Sequence, residues 1–244
     1  MNHLKLVILD CAYDTISEKQ TQQLLARSVA VKIMGYRASY PYGVLPVDAS
    51  DFVGRHALVC EQTDDGLKVL SATKSITLSH CRKFNLPFPM LSLAKANQPE
   101  HIAYVEKNIE EAQTQGVDIL YQFSWSADPE IRFRDRALAT QLKEIILAQL
   151  VLEAQDAAPG KVMLAGVPRV KTDQFFEDMG YHLARHQGDT LSSFSVPSSL
   201  GEKAVFMDFK EVTPQARTLI SQYRALWDQR IIVANTSEQQ KKAA

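Results

Sequence analysis

Arg132-Phe133-Arg134-Asp135-Arg136-Ala137-Leu138-Ala139-Thr140-Gln141 lies between two apolar runs. Before it, Val117 to Trp125 alternates apolar and polar residues from Leu120 onward, as a strand does. After it, Leu138, Leu142, Ile145, Ile146 and Leu150 recur at helical spacing and form a core-facing stripe. The stretch therefore reads as the turn of a strand into a helix. Arg134-x-x-Ala137-x-Ala139 places unpaired backbone amides beside small side chains at the helix start, where the helix dipole and Arg132, Arg134 and Arg136 favour an anion such as a diphosphate.

Working outward, Leu4 to Ile8 predicts a first strand. Ser17 and Glu18 open a helix with Leu24, Leu25, Val29, Ile33 and Met34 on its apolar face, and Gly35 is expected to end it. Tyr36 to Asp51, rich in Tyr, Pro and Gly, reads as an ordered loop. Arg55 to Glu61 and Leu67 to Ile76 read as strands joined by a hairpin whose turn contains Asp65-Gly66. The pattern weakens from Thr77 to Ala96. Pro99 to Gln115 reads as a helix capped by Gly116.

Downstream of the long helix, which Pro159-Gly160 stops, Val162 to Val167 is a continuous apolar run, as expected of a strand covered on both faces. A helix from Thr172 to Met179, strands at Ser192 to Pro197 and Ala204 to Phe209, and a last amphipathic helix from Pro214 to about Val233 complete the chain. The fold class expected is α/β: one domain over residues 1–234 with a mixed central sheet flanked by helices, followed by a disordered tail over 235–244.

The 244 residues are 45% hydrophobic, enough for a substantial core. With 27 Lys and Arg against 28 Asp and Glu, the chain has no general attraction for nucleic acid. Cys11, Cys60 and Cys81 are odd in number and far apart, which argues against a disulfide framework or a zinc site, and His56, His80 and His101 lack ligand spacing, so no metal is expected. The Leu4 to Leu9 run is too short for the core of a signal peptide, and no window reads as a membrane span, so a cytoplasmic location is expected.

The Arg134 to Ala139 segment resembles the acyl-CoA pyrophosphate loop of the GCN5-related N-acetyltransferase (GNAT) superfamily: Gln or Arg, two residues, Gly or Ala, one residue, Gly or Ala. Phe175-Phe176-Glu177-Asp178-Met179-Gly180-Tyr181 is similar to the superfamily's later helix, and the resemblance runs from about Leu24 to Phe209. It implies a GNAT-like fold and direct transfer. An amine attacks the thioester of an acyl group carried by acyl-CoA or acyl carrier protein (acyl-ACP), lying between two splayed strands, with a backbone amide near Phe123, Ser124, Trp125 and Ser126 holding the oxyanion. The chain departs from the pattern in two places. Both loop glycines are alanines, and the position of the usual tyrosine acid is Phe176.

Arg27, Tyr36, Asp48 and Asp51, ahead of the Arg55 to Val59 strand, resemble the acceptor site of autoinducer synthases and the related N-acyl amino acid synthases. The spacing from Arg27 to Tyr36 is one residue short, and Lys74 is the nearest cation to that family's next arginine. The resemblance implies a small-molecule amine acceptor, such as an amino acid. Glu61, Asp128 and Glu130 are the candidate bases, with Glu130 and Glu61 favoured. Leu138 and Thr140 join Arg132, Arg134, Arg136, Ala137 and Ala139 as candidate donor-binding residues. Phe84, Leu86, Phe88, Met90 and Leu91 would line an acyl tunnel or form a satellite core. Two other readings compete: a non-catalytic acyl-CoA-binding module, and an interaction protein that docks through Tyr223, Leu226 and Trp227.

Overall fold

The computed structural model describes residues 4–40, 47–64 and 66–235. The expected turn residue Asp65 and residues 236–244 of the expected tail lie outside them.

In chain order the elements begin with β1 (Leu4–Asp10), α1 (Lys19–Ser39), α2 (Ala49–Val53), β2 (Arg55–Thr63) and β3 (Gly66–Thr77). Next come α3 (Leu78–Lys83), α4 (Pro89–Lys95), α5 (Pro99–Gln115), β4 (Ile119–Ala127), α6 (Pro129–Arg134) and α7 (Arg136–Asp156). β5 (Lys161–Gly166), α8 (Thr172–Met179), β6 (Tyr181–Leu183), β7 (Arg185–His186), β8 (Asp189–Thr190), β9 (Phe194–Val196), β10 (Glu202–Phe209), α9 (Pro214–Asp228) and β11 (Ile231–Val233) follow.

The alternation of strand side chains divides the core. Among the described residues the main sheet has the order β11-β1-β2-β3-β4-β5-β10-β6, with β9 pairing β10. It is mixed: β1 with β11 and β4 with β5 run parallel, while the other neighbours run antiparallel. Leu6, Ile8, Val59 and Leu70 point to one face, where Leu142, Ile146 and Val151 of α7 and Ile220 and Trp227 of α9 cover them. On the other face α1 covers Val7, Leu9 and Leu58. There Phe88, Met90 and Tyr104 cover Ile119, Tyr121 and Phe206.

Several elements differ from expectation. α1 runs through Gly35 to Ser39. Gly35 is needed for close approach rather than as a stop, because a Cβ there would meet the Ala127 carbonyl at 2.9 Å and the Ser126 Cβ at 3.2 Å. Ile33 and Met34, expected on the apolar face, are exposed, and the buried stripe is Leu24, Leu25, Ser28, Val31 and Lys32. The expected loop before Asp51 contains the last turn of α1 and the start of α2, and residues 41–46 lie outside the described residues. Thr77 to Ala96 carries two helices too short to show a period. α3 is capped by Thr77 Oγ1, which accepts from the His80 amide at 3.2 Å, and α4 starts on Pro89.

The opening stretch is broken in two. Asp135, at φ −140°, ends α6 and caps α7 by accepting the Leu138 amide at 2.9 Å. The expected last helix stops at Asp228, and Ile231-Ile232-Val233 pairs in parallel with β1 instead. Tyr223 and Trp227 are core residues, each 5% exposed, so they are not free for docking. No helix among the described residues is long and apolar enough to cross a membrane.

Candidate functional site

β4 and β5 pair from Ile119↔Lys161 to Gln122↔Leu164 and then part. Beyond that point β4 continues against β3, and β5 against β10, where Ala165 pairs with Phe206. A buried polar network fixes the apex of the split. Gln122 Nε2 donates to the Leu150 carbonyl and to Glu153 Oε2, both at 2.9 Å, and Tyr181 donates to Gln122 Oε1 at 2.6 Å. Just past the apex, Ala72↔Ser126 and Lys74↔Phe123 leave two residues of β4, Ser124 and Trp125, opposite Thr73 alone. That is a β-bulge, and Ser124 takes the left-handed conformation at φ 58°. A bulge turns its strand and frees a backbone group from the ladder, and this one lies at the mouth of the split.

The split opens into a cavity of about 860 Å³, within the range of small-molecule sites. Phe123, Ser124 and Trp125 line it on the β4 side, and Leu164, Ala165 and Phe176 on the opposite side. Phe176 brings no hydroxyl, as its sequence position implied. Of the expected tunnel residues, Leu86 lines the cavity, whereas Phe88 and Met90 are buried in the core and Phe84 packs edge-on against Tyr13 and His80.

At the mouth, Arg132, Phe133 and Ala139 reach the cavity. Phe133 is 82% exposed. Arg134 is turned outward onto Glu130 at 3.1 Å, with both side chains largely exposed. Arg136, Ala137 and Thr140 are exposed on the first turn of α7, and Leu138 packs against the core. The first amides of a helix lack intrahelical partners, but the Leu138 amide is already held by Asp135.

A charged cluster occupies the face between α1, α2 and β3. Asp48 and Asp51 form a capping box around α2, Asp51 Oδ2 accepting the Asp48 amide at 3.0 Å. The Asp51 carboxylate, fully buried, also accepts from Lys32 Nζ at 2.9 and 3.0 Å and from Lys74 Nζ at 2.7 Å. Lys74 further donates to Ser50 Oγ at 2.8 Å and lies 4.7 Å from the centre of the Phe123 ring. Burial pulls the Lys74 ammonium down to about 8, against the pull of Asp51. Although burial opposes ionisation of Asp51, the two ammonium groups win and hold its carboxyl below the usual range.

His56, cross-strand from Lys74, is 3% exposed and is pushed down to about 4 by burial. Its Nε2 is 2.7 Å from the Asp51 carbonyl, which can only accept, so Nε2 carries the proton and Nδ1 accepts from Ser28 Oγ at 3.0 Å.

Lys32, Tyr36, Asp48, Ser50 and Lys74 reach the cavity, so the structure brings Tyr36, Asp48 and Asp51 to one place. Arg27 instead donates to the Leu67 carbonyl near the β2–β3 hairpin, and Glu61 sits at that same end, opposite Lys68. The sequence reading missed Lys32. Its signal was present, since Leu24, Ser28, Lys32 and Tyr36 are spaced to share one helix face.

No protein-family model matches the chain, and no curated protein matches it. Solved structures do. FeeM, an N-acyl amino acid synthase from uncultured soil microbes, aligns over 91% of this chain and 97% of its own with a TM-score of 0.51 at 10% identity. BjaI, a CoA-dependent acyl-homoserine lactone synthase solved with SAM and isopentyl-CoA, aligns over 95% of this chain and 93% of its own with a TM-score of 0.52 at 12% identity. The chain thus shares the mixed-sheet, GNAT-like fold of these two structures.

Proposed function

We propose that this chain is an N-acyltransferase that moves an acyl group from acyl-CoA or acyl carrier protein to the amine of an amino acid or similar small molecule by direct attack. The observation that carries the reading is the β4–β5 split with the Ser124 bulge at its edge, opening into the 860 Å³ cavity. A pantetheine arm laid in the split would complete the interrupted ladder. Its thioester carbonyl would then sit by the freed backbone amide of the bulge, which stabilises the oxyanion as the amine attacks. The carbon–nitrogen bond forms, the carbon–sulfur bond breaks, and the thiolate leaves with a proton that Phe176 cannot supply.

Arg132 and the open amides at the start of α7 would hold the donor's phosphate, and the face of Tyr36 and Asp48 would hold the acceptor. Support also comes from the two aligned structures, one named for N-acyl amino acid synthesis and one for CoA-dependent acyl-homoserine lactone synthesis.

Purified protein is expected to release free thiol from an acyl-CoA or acyl carrier protein when an amino acid is added, read with a thiol reagent over a panel of chain lengths and amines. Ala165→Trp, which fills the split from the β5 side, should cut that rate at least ~10-fold without lowering the melting temperature. Full activity in this variant would place the donor elsewhere. The alanines of the phosphate loop, Phe176 and the Asp135 cap favour a second reading, a carrier or sensor of acyl-CoA. It predicts thermal stabilisation by CoA with no thiol release under any condition.

A further inference from the structure

We propose that Lys74 is the catalytic base: its amine takes the proton from the acceptor's ammonium and, once charged, supplies one to the departing thiolate. The inference deepens the acyl-transfer reading and rests on it.

Of the carboxylates at the cavity, Asp128 is taken up as the cap of α6, accepting the Glu130 amide at 2.9 Å. Glu130 is outside the cavity on Arg134, and Glu61 is at the far end of β2. Asp51 accepts from both lysines and from the Asp48 amide, and Asp48 accepts from the Ser50 amide and hydroxyl. Glu202 is held by Arg169 and Tyr40. Glu153 lies under the sheet, saturated by Ser75, Gln122 and Gln149.

Lys74 differs in position and in chemistry. It pairs across the strands with Phe123, the residue just before the bulge, so its side chain leaves β3 beside the proposed oxyanion site. Two of its N–H groups are held by fixed acceptors, Ser50 Oγ and Asp51 Oδ1. Its third N–H position is not taken by either acceptor, and because Lys74 lines the cavity a proton can be exchanged there.

The charged and titratable groups around Lys74 are Lys32 and Tyr36 from α1, Asp48 and Asp51 at α2, His56 from β2 and Tyr121 from β4. Burial and Lys32 push toward the free amine, and Asp51 and Asp48 push against it. With the group near 8, about a tenth of the molecules carry the free base at pH 7.

The balance is complete. The acceptor ammonium gives one proton to Lys74, and the neutral amine attacks. The nitrogen sheds its second proton after the bond forms, the thiolate leaves as the thiol, and one proton goes to solvent.

The test measures kcat and kcat/KM from pH 6 to 10 for wild type and Lys74→Arg, with two acceptors whose amines differ in pKa. Wild type should show a rising limb near pH 8 that stays put for both acceptors. Lys74→Arg keeps the charge and the bond to Asp51 but cannot deprotonate. It should lose at least ~100-fold in kcat, with KM for the acceptor and the melting temperature little changed.

Activity of Lys74→Arg within a few-fold of wild type would overturn the proposal, leaving Lys74 a positioning charge. If that variant does not fold, a wild-type limb that follows the acceptor's own pKa, or no limb near 8, overturns it equally. A wild type that releases no thiol with any amine removes the acyl-transfer reading itself, and this proposal with it.

Discussion

Asp51→Ala is expected to destabilise the protein by about 3 to 5 kcal/mol, the cost of breaking a buried ion pair from one side. In a chain of this size that should lower the melting temperature by roughly 10 °C. The carboxylate is fully buried and accepts bonds from Lys32, Lys74 and the Asp48 amide. Removing it leaves two ammonium groups facing each other with little water to solvate them, and it opens the capping box of α2. Asp51→Asn should cost less than the alanine, because an amide oxygen still accepts, but it removes the charge that opposes the loss of Lys74's proton.

A double-mutant cycle separates the charge from the packing. Lys74→Met on the Asp51→Ala background removes one stranded charge, so the pair should lose less than the sum of the single variants. Thermal or urea melts of the four proteins check this. A change of only a degree or two in Asp51→Ala would mean that the cluster is open to water, and the low position of Lys74 would lose its cause.

The parts of the fold legible in the sequence are those with local signals. Arg132 to Gln141 lies between the strand and the long helix that flank it in the sequence, although its first three residues close the short helix α6, and the helix Thr172–Met179 ends at Gly180, whose φ of 100° needs a glycine. What stayed hidden depends on distant partners. Gly35 carries a helix-stop signal, but the Ala127 carbonyl pressed against α1 gives it another use. β11 is three residues whose partner strand begins the chain, so nothing near Ile231 announces it. The bulge rests on a serine in a left-handed conformation, where glycine or asparagine would have been the cue.

The same division holds at the site. The Asp48-x-x-Asp51 spacing is visible in the sequence, whereas the meeting of Lys32 and Lys74 on Asp51 joins α1, α2 and β3 and exists only once they pack. Glu130 and Glu61 stand out by their place along the chain, which does not say which way a carboxylate faces.

The second large effect is with pH. Stability is expected to fall by about 3 kcal/mol from His56 alone as pH drops from 6.5 to 4. His56 is held near 4 in the folded protein because its ring is buried, with Lys32 and Lys74 adding repulsion. In the unfolded chain it titrates near 6.5. Between those values the unfolded state binds the proton and the folded state does not, so stability is intact above 6.5 and is lost as pH falls toward 4. The gap of about 2.5 pH units, at 1.36 kcal/mol each, sets the size.

Lys74 acts with the same sign in a higher window. It is held near 8 in the fold against 10.5 unfolded, so its contribution improves as pH rises from 8 to 10.5. The optimum of stability should therefore sit on the alkaline side of neutral, in the direction that frees the proposed base. Urea midpoints at pH 4.5, 5.5, 6.5 and 8 measure the slope. His56→Gln can still bond Ser28 and the Asp51 carbonyl but cannot take up the proton, so it should flatten the acid limb. An unchanged limb in that variant would assign acid unfolding to other groups and would make His56 a neutral spacer between Ser28 and α2.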